Sequence, residues 1–268
     1  MLTTAAQRQT FQEQGFILIP QLFSEQEIAA LQADVAVLQT DQLVTAAAGQ
    51  NKGVMVVEDA DTPRLQFDIH RTDTCFSRLA RHPRMAGIMQ ELLEVPLYIY
   101  HSKLAFKAAF TGSVQFWHQD YGYWVAAKHP EPTMASCLVM LDPHSEDNGG
   151  MQVLSGSHQE GVVDHEQSPP KESTGESQLR IPNAAMRDYC QKWERMKFIG
   201  QPGDFAAWHC NTMHASAHNI SEHARHAAIV AYNAVGNYDP ARRRADDSPW
   251  GDECDTPIEL CADDALVM

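Results

Sequence analysis

The chain lacks long hydrophobic runs, paired cysteines and basic clusters, and each absence closes off a class of function. No stretch approaches the roughly 20 apolar residues that span a bilayer. The opening MLTTAAQRQTFQEQ has no apolar secretion-signal core. A cytoplasmic location with no membrane partner is therefore expected. Six cysteines (Cys75, Cys137, Cys190, Cys210, Cys254, Cys261) show no C-x-x-C spacing, which argues against zinc knuckles and dithiol motifs and for free thiols. Lys and Arg number 20 against 35 Asp and Glu, a formal charge of −15. The one tight basic run, Arg242 to Arg244, reads as a solvated turn, so no nucleic-acid partner is expected. The acidic balance points instead to a neutral or cationic small molecule. H-E-x-x-H, the usual mark of zinc hydrolysis, is also missing.

What is present is an ordinary globular composition, 44% hydrophobic over 268 residues, long enough for one sizeable core. Residues 24 to 39 give the clearest helix: Ser24 and Glu27 form a capping box, Phe23 and Ile28 a staple, and Ile28, Leu31, Val35 and Leu38 share a face. A second helical region is predicted over about 76 to 93, broken or restarted at Pro83. Short β-type runs follow: LYIYHSKLAF, SVQFWHQDYGYW, ASCLVMLD, GMQVLSGSH, DFAAWH and AAIVAYNAV. GFILIPQLF upstream reads as a strand interrupted by Pro20. Residues 159 to 183, rich in Pro, Ser, Gly and Glu, have the composition of a lid loop. Periodicity gives a β-rich fold with helices and stops there.

The chemistry sits in FWHQDYGYW. In an extended segment His118 and Asp120 project to the same face and could share an ion. A lone H-x-D is weak, and its plain reading is a histidine bonded to a carboxylate. Downstream, WHCNTMHASAHNISEHARHAAIVAYN offers His209, His214 or His218 as a third ligand. Two imidazoles and a carboxylate leave half a coordination sphere open, the arrangement of non-haem Fe(II) oxygenases. Zinc competes on ligand type.

These segments resemble the phytanoyl-CoA dioxygenase family of Fe(II)- and 2-oxoglutarate-dependent oxygenases, and within it the ectoine-hydroxylase branch. FQEQGFILIPQLFSEQEIAALQADV, FDIHRTDTCFSRLARHPRM, WHQDYGYW, NGGMQVLSGSH and DFAAWHCNTMHASAHNISEHARHAAIVAYN carry the resemblance in order. It implies a distorted double-stranded β-helix, an all-β jelly roll with flanking helices, as a single domain. Its parts would be helical support over 1–95, the core over 96–237 with the lid at 159–183, and an extension over 238–268. It implies His118, Asp120 and His214 as metal ligands and catalytic centre, with His214 marked by Ser216 at +2 and Arg225 at +11. Arg225, Ser216, Lys107 and Ser136 become candidates for 2-oxoglutarate binding. The implied reaction consumes O2 and 2-oxoglutarate, releases succinate and CO2, and hydroxylates a substrate C–H bond. Related halogenases put a small residue at the carboxylate position, so Asp120 points to hydroxylation.

Ectoine hydroxylases follow H-x-D with an aromatic, an acidic residue and Trp-His, where this chain has YGYWVAAKHPEP. Ectoine is therefore not carried over as substrate. Trp124, Tyr123, Tyr121, His101 and Gln119 are the candidate substrate-pocket residues, with plain strand packing as the alternative for each. A cupin-like module that binds metal and 2-oxoglutarate without turnover, and a zinc hydrolase, stand as alternatives at this stage, and monomer or homodimer is open.

Overall fold

Both N-terminal helices begin with reciprocal side-chain caps. In α1 (Ala5–Gln14) Thr4 and Gln7 cap each other, and in α2 (Glu25–Ala47) Glu27 N–H donates to Ser24 Oγ while Ser24 N–H donates to Glu27 Oε2. Between them β1 (Phe16–Ile19) ends at Pro20. Ile28, Leu31, Val35 and Leu38 of α2 are all buried. The predicted second helical region divides at its proline: α3 (Cys75–Leu79) stops, and α4 (Pro83–Leu93) restarts with Pro83 in the first turn, where a missing N–H costs nothing. The computed structural model describes residues 1–47, 55–59, 62–125, 129–170, 177–239 and 254–267; the Arg242–Arg244 run lies outside them.

The remaining elements are β2 (Met55–Asp59), β3 (Thr62–Phe67), β4 (Leu97–Lys107), β5 (Gln115–His118), α5 (Asp120–Trp124), β6 (Met134–Met140), β7 (Met151–Leu154), β8 (Glu166–Gln167), β9 (Leu179–Arg180), α6 (Asn183–Lys192), β10 (Arg195–Lys197), β11 (Phe205–His209), β12 (His214–Ser216) and β13 (Arg225–Ala234). A large sheet has the order β1-β11-β6-β13-β4-β3-β2 and a small one β10-β7-β12-β5, with antiparallel pairing throughout. This is the expected jelly roll. The stretch before residue 96 adds β2 and β3 to the helices and the one strand anticipated there.

Strand alternation explains how the large sheet serves two cores. β6 is buried along its whole length: Ala135, Cys137 and Val139 join the helices in one cluster, while Leu138 and Met140 pack with Met151, Val153, Phe198 and Trp208 between the sheets. Ser136 shares the inner face. A strand covered on both sides reads as a near-continuous apolar run, as ASCLVM does apart from Ser136.

Polar composition hid structure in two places. Of the 159–183 stretch, β8 and β9 pair as a short ladder, and residues 171–176 fall outside the described residues. α6 follows from Asn183. At the C-terminal end, Ile258 N–H donates to the Leu97 carbonyl, Cys261 N–H to that of Arg81, and Leu266 is buried beside α3. Among the described residues no helix is long and apolar enough to cross a membrane.

Candidate active site

The register of the small sheet makes His214 on β12 the direct cross-strand partner of His118 on β5. β5 ends there. Gln119 is still extended, and Asp120 opens the helical turn α5, so the alternation expected of one long strand stops at the first ligand. The turn nevertheless swings Asp120 back: its Oδ1 lies 3.8 Å from His118 Nε2 and 3.6 Å from His214 Nε2. Two metal–ligand bonds of about 2.1 Å can bridge such spans. All three side chains are buried, and their ligand atoms lie within 4.8 Å of one another.

The surroundings leave each ligand atom free for an ion. His118 Nδ1–H donates to the Phe116 carbonyl (2.7 Å) and His214 Nδ1–H to that of Thr212 (2.9 Å), so each Nε2 presents a lone pair. Burial keeps both rings neutral, with His118 pushed down to about 3 and His214 also lowered. Burial alone would raise the Asp120 carboxyl, but the Lys103 ammonium and the Ser136 hydroxyl hold it below the usual carboxylate range. Its Oδ2 accepts from Ser136 Oγ (2.6 Å) and Trp208 Nε1 (3.0 Å), which leaves Oδ1 facing the imidazoles. Two neutral imidazole nitrogens and one carboxylate oxygen on one side suit Fe(II).

Two of the expected co-substrate residues are already engaged by the protein. Ser136 Oγ donates to Asp120 Oδ2 from the inner face of β6 and so orients the metal-side carboxylate. Lys107 does line the cavity, yet its ammonium donates to the carbonyls of Ser113 and Ala217 and to Ser216 Oγ. A lysine has three donors. All three serve the protein, so Lys107 gives the cavity its charge rather than a spare hydrogen bond. The glycines of NGGM allow this, since Gly149 has φ +75° and a Cβ there would lie 2.4 Å from the Ala217 carbonyl and 2.8 Å from Lys107 Cδ.

Arg225 pairs with Lys107 across β13 and β4 and lines the same cavity beside Ser216. It is 5% exposed, its Nε has no hydrogen-bond partner among the described residues, and burial lowers the guanidinium to about 10. It is still a cation at neutral pH. A buried cation with an unused donor is unfavourable until an anion meets it. Leu138, Met151 and Ile229 supply apolar wall.

A second cavity meets the triad at His118 and Asp120, lined by Arg64, His101, Lys103, Tyr123, Trp124 and Gln178 among others; Arg64 and Lys103 stand where the two cavities join and line the first as well. Three of the five expected substrate residues are there and two are not. Once 120–124 is a helical turn, positions 120, 123 and 124 share a face and Tyr121 points away. Its hydroxyl donates to the His129 carbonyl, and its ring packs with Met134 and Cys210. Gln119 is fully buried, and its amide is spent on Gly161, Val163 and Asn211.

The sequence reading missed Lys103, Arg64 and Trp208. Alternation on β4 carried the signal for Lys103, which falls between His101 and Lys107 on their face. Burial lowers its ammonium while Asp120 pulls the other way. Lys103 and Arg64 make the cavity cationic, opposite to the chain's net charge and to the neutral or cationic ligand expected from it.

A sequence model of the phytanoyl-CoA dioxygenase (PhyH) family matches residues 11–227. The ectoine dioxygenase of Stutzerimonas stutzeri strain A1501 is 30% identical over 232 residues, covering 85% of this chain and 76% of that one. The L-proline trans-4-hydroxylase of Streptomyces griseoviridis is 24% identical over 236 residues, covering 83% and 84%. The crystal structure of EctD from S. alaskensis with 2-oxoglutarate and 5-hydroxyectoine superposes with TM-score 0.75 at 27% identity, covering 88% of this chain and 78% of that one. The same protein with bound Fe gives 0.77 at 25% identity, covering 97% and 88%.

Proposed function

This chain belongs to the phytanoyl-CoA dioxygenase family and is an Fe(II)- and 2-oxoglutarate-dependent dioxygenase that hydroxylates a small-molecule C–H bond, and from that premise we propose the roles of its pocket residues and the class of its substrate. His118, Asp120 and His214 hold the iron. When bound, the iron supplies the oxygen chemistry, in which 2-oxoglutarate yields succinate and CO2 and one oxygen atom enters the substrate. The protein's part is to bind, orient and exclude water.

Arg225 takes the far carboxylate of 2-oxoglutarate. The unpartnered Nε in a buried pocket end supports this role, because a guanidinium and a carboxylate form a charge-assisted, two-pronged contact. Ser216 sits beside it, already turned by Lys107, and the Leu138, Met151 and Ile229 walls keep water from the carbon chain. Lys107 adds a cation that favours a dianionic co-substrate.

The substrate is a small molecule carrying a carboxylate, such as a cyclic amino acid. Lys103 and Arg64, at the junction of the two cavities, carry this reading: a carboxylate in the second cavity pairs with the ammonium, while Trp124, Tyr123 and His101, which line the second cavity, flank the ring. Ectoine and L-proline, named for two relatives, both have this form. The test is succinate release from a panel of cyclic amino acids set against their amides. Coupled turnover confined to the acids supports the assignment, and equal turnover of the amides overturns it.

A further inference from the structure

We propose that Gln119 and His165 form a positioning clamp that links metal binding to the seating of residues 161–165. This rests on the iron-site reading above. Gln119 lies between two ligands, and nothing in the chemistry of an iron site requires a glutamine there. Its side chain is 0% exposed, and it ties its own segment to two others, 161–163 and the turn at Asn211. Nε2 donates to the Gly161 carbonyl (2.7 Å) and the Asn211 carbonyl (2.8 Å), while Oε1 accepts from Val163 N–H (2.9 Å). An amide has two N–H donors and one carbonyl, and here both donors face carbonyls and the acceptor faces an N–H.

His165 closes the clamp from the other side. Its Nδ1–H donates to the Val163 carbonyl (2.8 Å), which leaves Nε2 to accept Gln119 N–H (3.1 Å). The ring needs Gly122: a Cβ there would lie 2.6 Å from His165 Cε1. Among the described residues His165 hydrogen-bonds to no metal ligand, and it meets the iron site through Gln119 N–H and through its packing on Gly122 in the Asp120 turn.

The segments joined are those that carry the ligands. His118 and Asp120 flank Gln119, while Asn211 precedes Thr212, whose carbonyl fixes the His214 ring. A second bond, Tyr121 N–H to the Cys210 carbonyl (3.0 Å), ties the same turn to α5. The third segment runs on through β8 to its partner β9, and just before β9 Gln178 lines the substrate cavity, donates to the Val114 carbonyl ahead of β5 and accepts from Phe116 N–H on β5. An ion that draws His118, Asp120 and His214 together fixes the clamp, and by linkage a seated 161–165 segment tightens the ion. The segment thus works as a positioning element, and metal loading firms one wall of the cavity before substrate arrives.

The experiment titrates Co(II), an oxygen-inert probe, into the full-length wild type, His165→Ala, Gln119→Met and His118→Ala. It follows the visible absorption of bound Co(II) and hydrogen exchange over residues 159–168. In the wild type, Co(II) should slow exchange in that segment. His165→Ala should weaken Co(II) binding about 10-fold and Gln119→Met about 10- to 100-fold, the usual range for groups behind the ligands, with altered cobalt spectra. Loss of packing alone would not change the spectrum of the bound ion. If Gln119→Met does not fold, His165→Ala on its half-buried loop carries the test. Wild-type Co(II) affinity and spectrum in His165→Ala, with no metal-dependent protection of 159–168, overturn the clamp alone. Undiminished Co(II) binding in His118→Ala overturns the iron site and the clamp with it.

Discussion

His118 and His214 stand directly opposite each other on neighbouring antiparallel strands, with ring centroids 4.1 Å apart. Nearly a hundred residues separate them in the chain, and the register of one small sheet brings them together. The turn at Gln119 then adds Asp120 as the third donor.

Removing any of the three should abolish iron-dependent succinate formation. His118→Ala and His214→Ala should keep the fold, as read by circular dichroism. Asp120→Ala should also lower stability, because it leaves the Ser136 hydroxyl and Trp208 N–H without their acceptor at about 1–3 kcal/mol each. Asp120→Asn, which retains an acceptor, should restore the melting temperature without restoring activity.

Arg225→Ala should raise the KM for 2-oxoglutarate about 10- to 100-fold, the loss of a charged hydrogen bond, with kcat at saturation changed far less. An unchanged KM would remove Arg225 from the co-substrate site.

Ser136→Ala separates the expectation from the sequence from the role seen in the fold. As an orienting group for Asp120 it should weaken iron binding by about tenfold and leave the KM for 2-oxoglutarate alone. The opposite pattern would return Ser136 to the co-substrate.

Lys103→Met should raise the substrate KM strongly while substrate-independent decarboxylation of 2-oxoglutarate continues; Lys103→Arg should recover much of the affinity. Equal effects on both would mean that Lys103 serves the metal side instead.

Acid should unfold the metal-free protein early. Burial holds His70, His101 and His118 neutral down to about 3 and His209 to about 4. In the unfolded chain each takes a proton near 6.5. Between those limits the unfolded state binds more protons, so stability present above pH 6.5 is lost as pH falls. Melting temperatures in chelator, recorded from pH 7 down to 4, should decline steadily, and a flat profile would contradict this.

Local signals in the sequence proved the most readable. Ser24 with Glu27, and Pro83 between α3 and α4, act through neighbouring backbone, and their helices start where the sequence puts them. Apolar runs such as ASCLVM marked central strands, although the jelly roll itself came from the family resemblance. What stayed hidden depends on tertiary placement. DYGYW has strand composition but folds as a helical turn, which turned Tyr121 into the core and left Tyr123 and Trp124 at the cavity. Ser136, Trp208 and Gln119 act on the ligands from behind, a relation set by sheet register and invisible in spacing. Lys103 drew no notice because the net charge of −15 says nothing about the charge of one cavity.

The most direct test is anomalous diffraction at the iron edge from crystals grown without oxygen with Fe(II) and 2-oxoglutarate. One peak should appear about 2.1 Å from His118 Nε2, His214 Nε2 and an Asp120 oxygen, with the co-substrate's far carboxylate on Arg225. A peak at any other residues, or 2-oxoglutarate bound away from Arg225, would contradict the account.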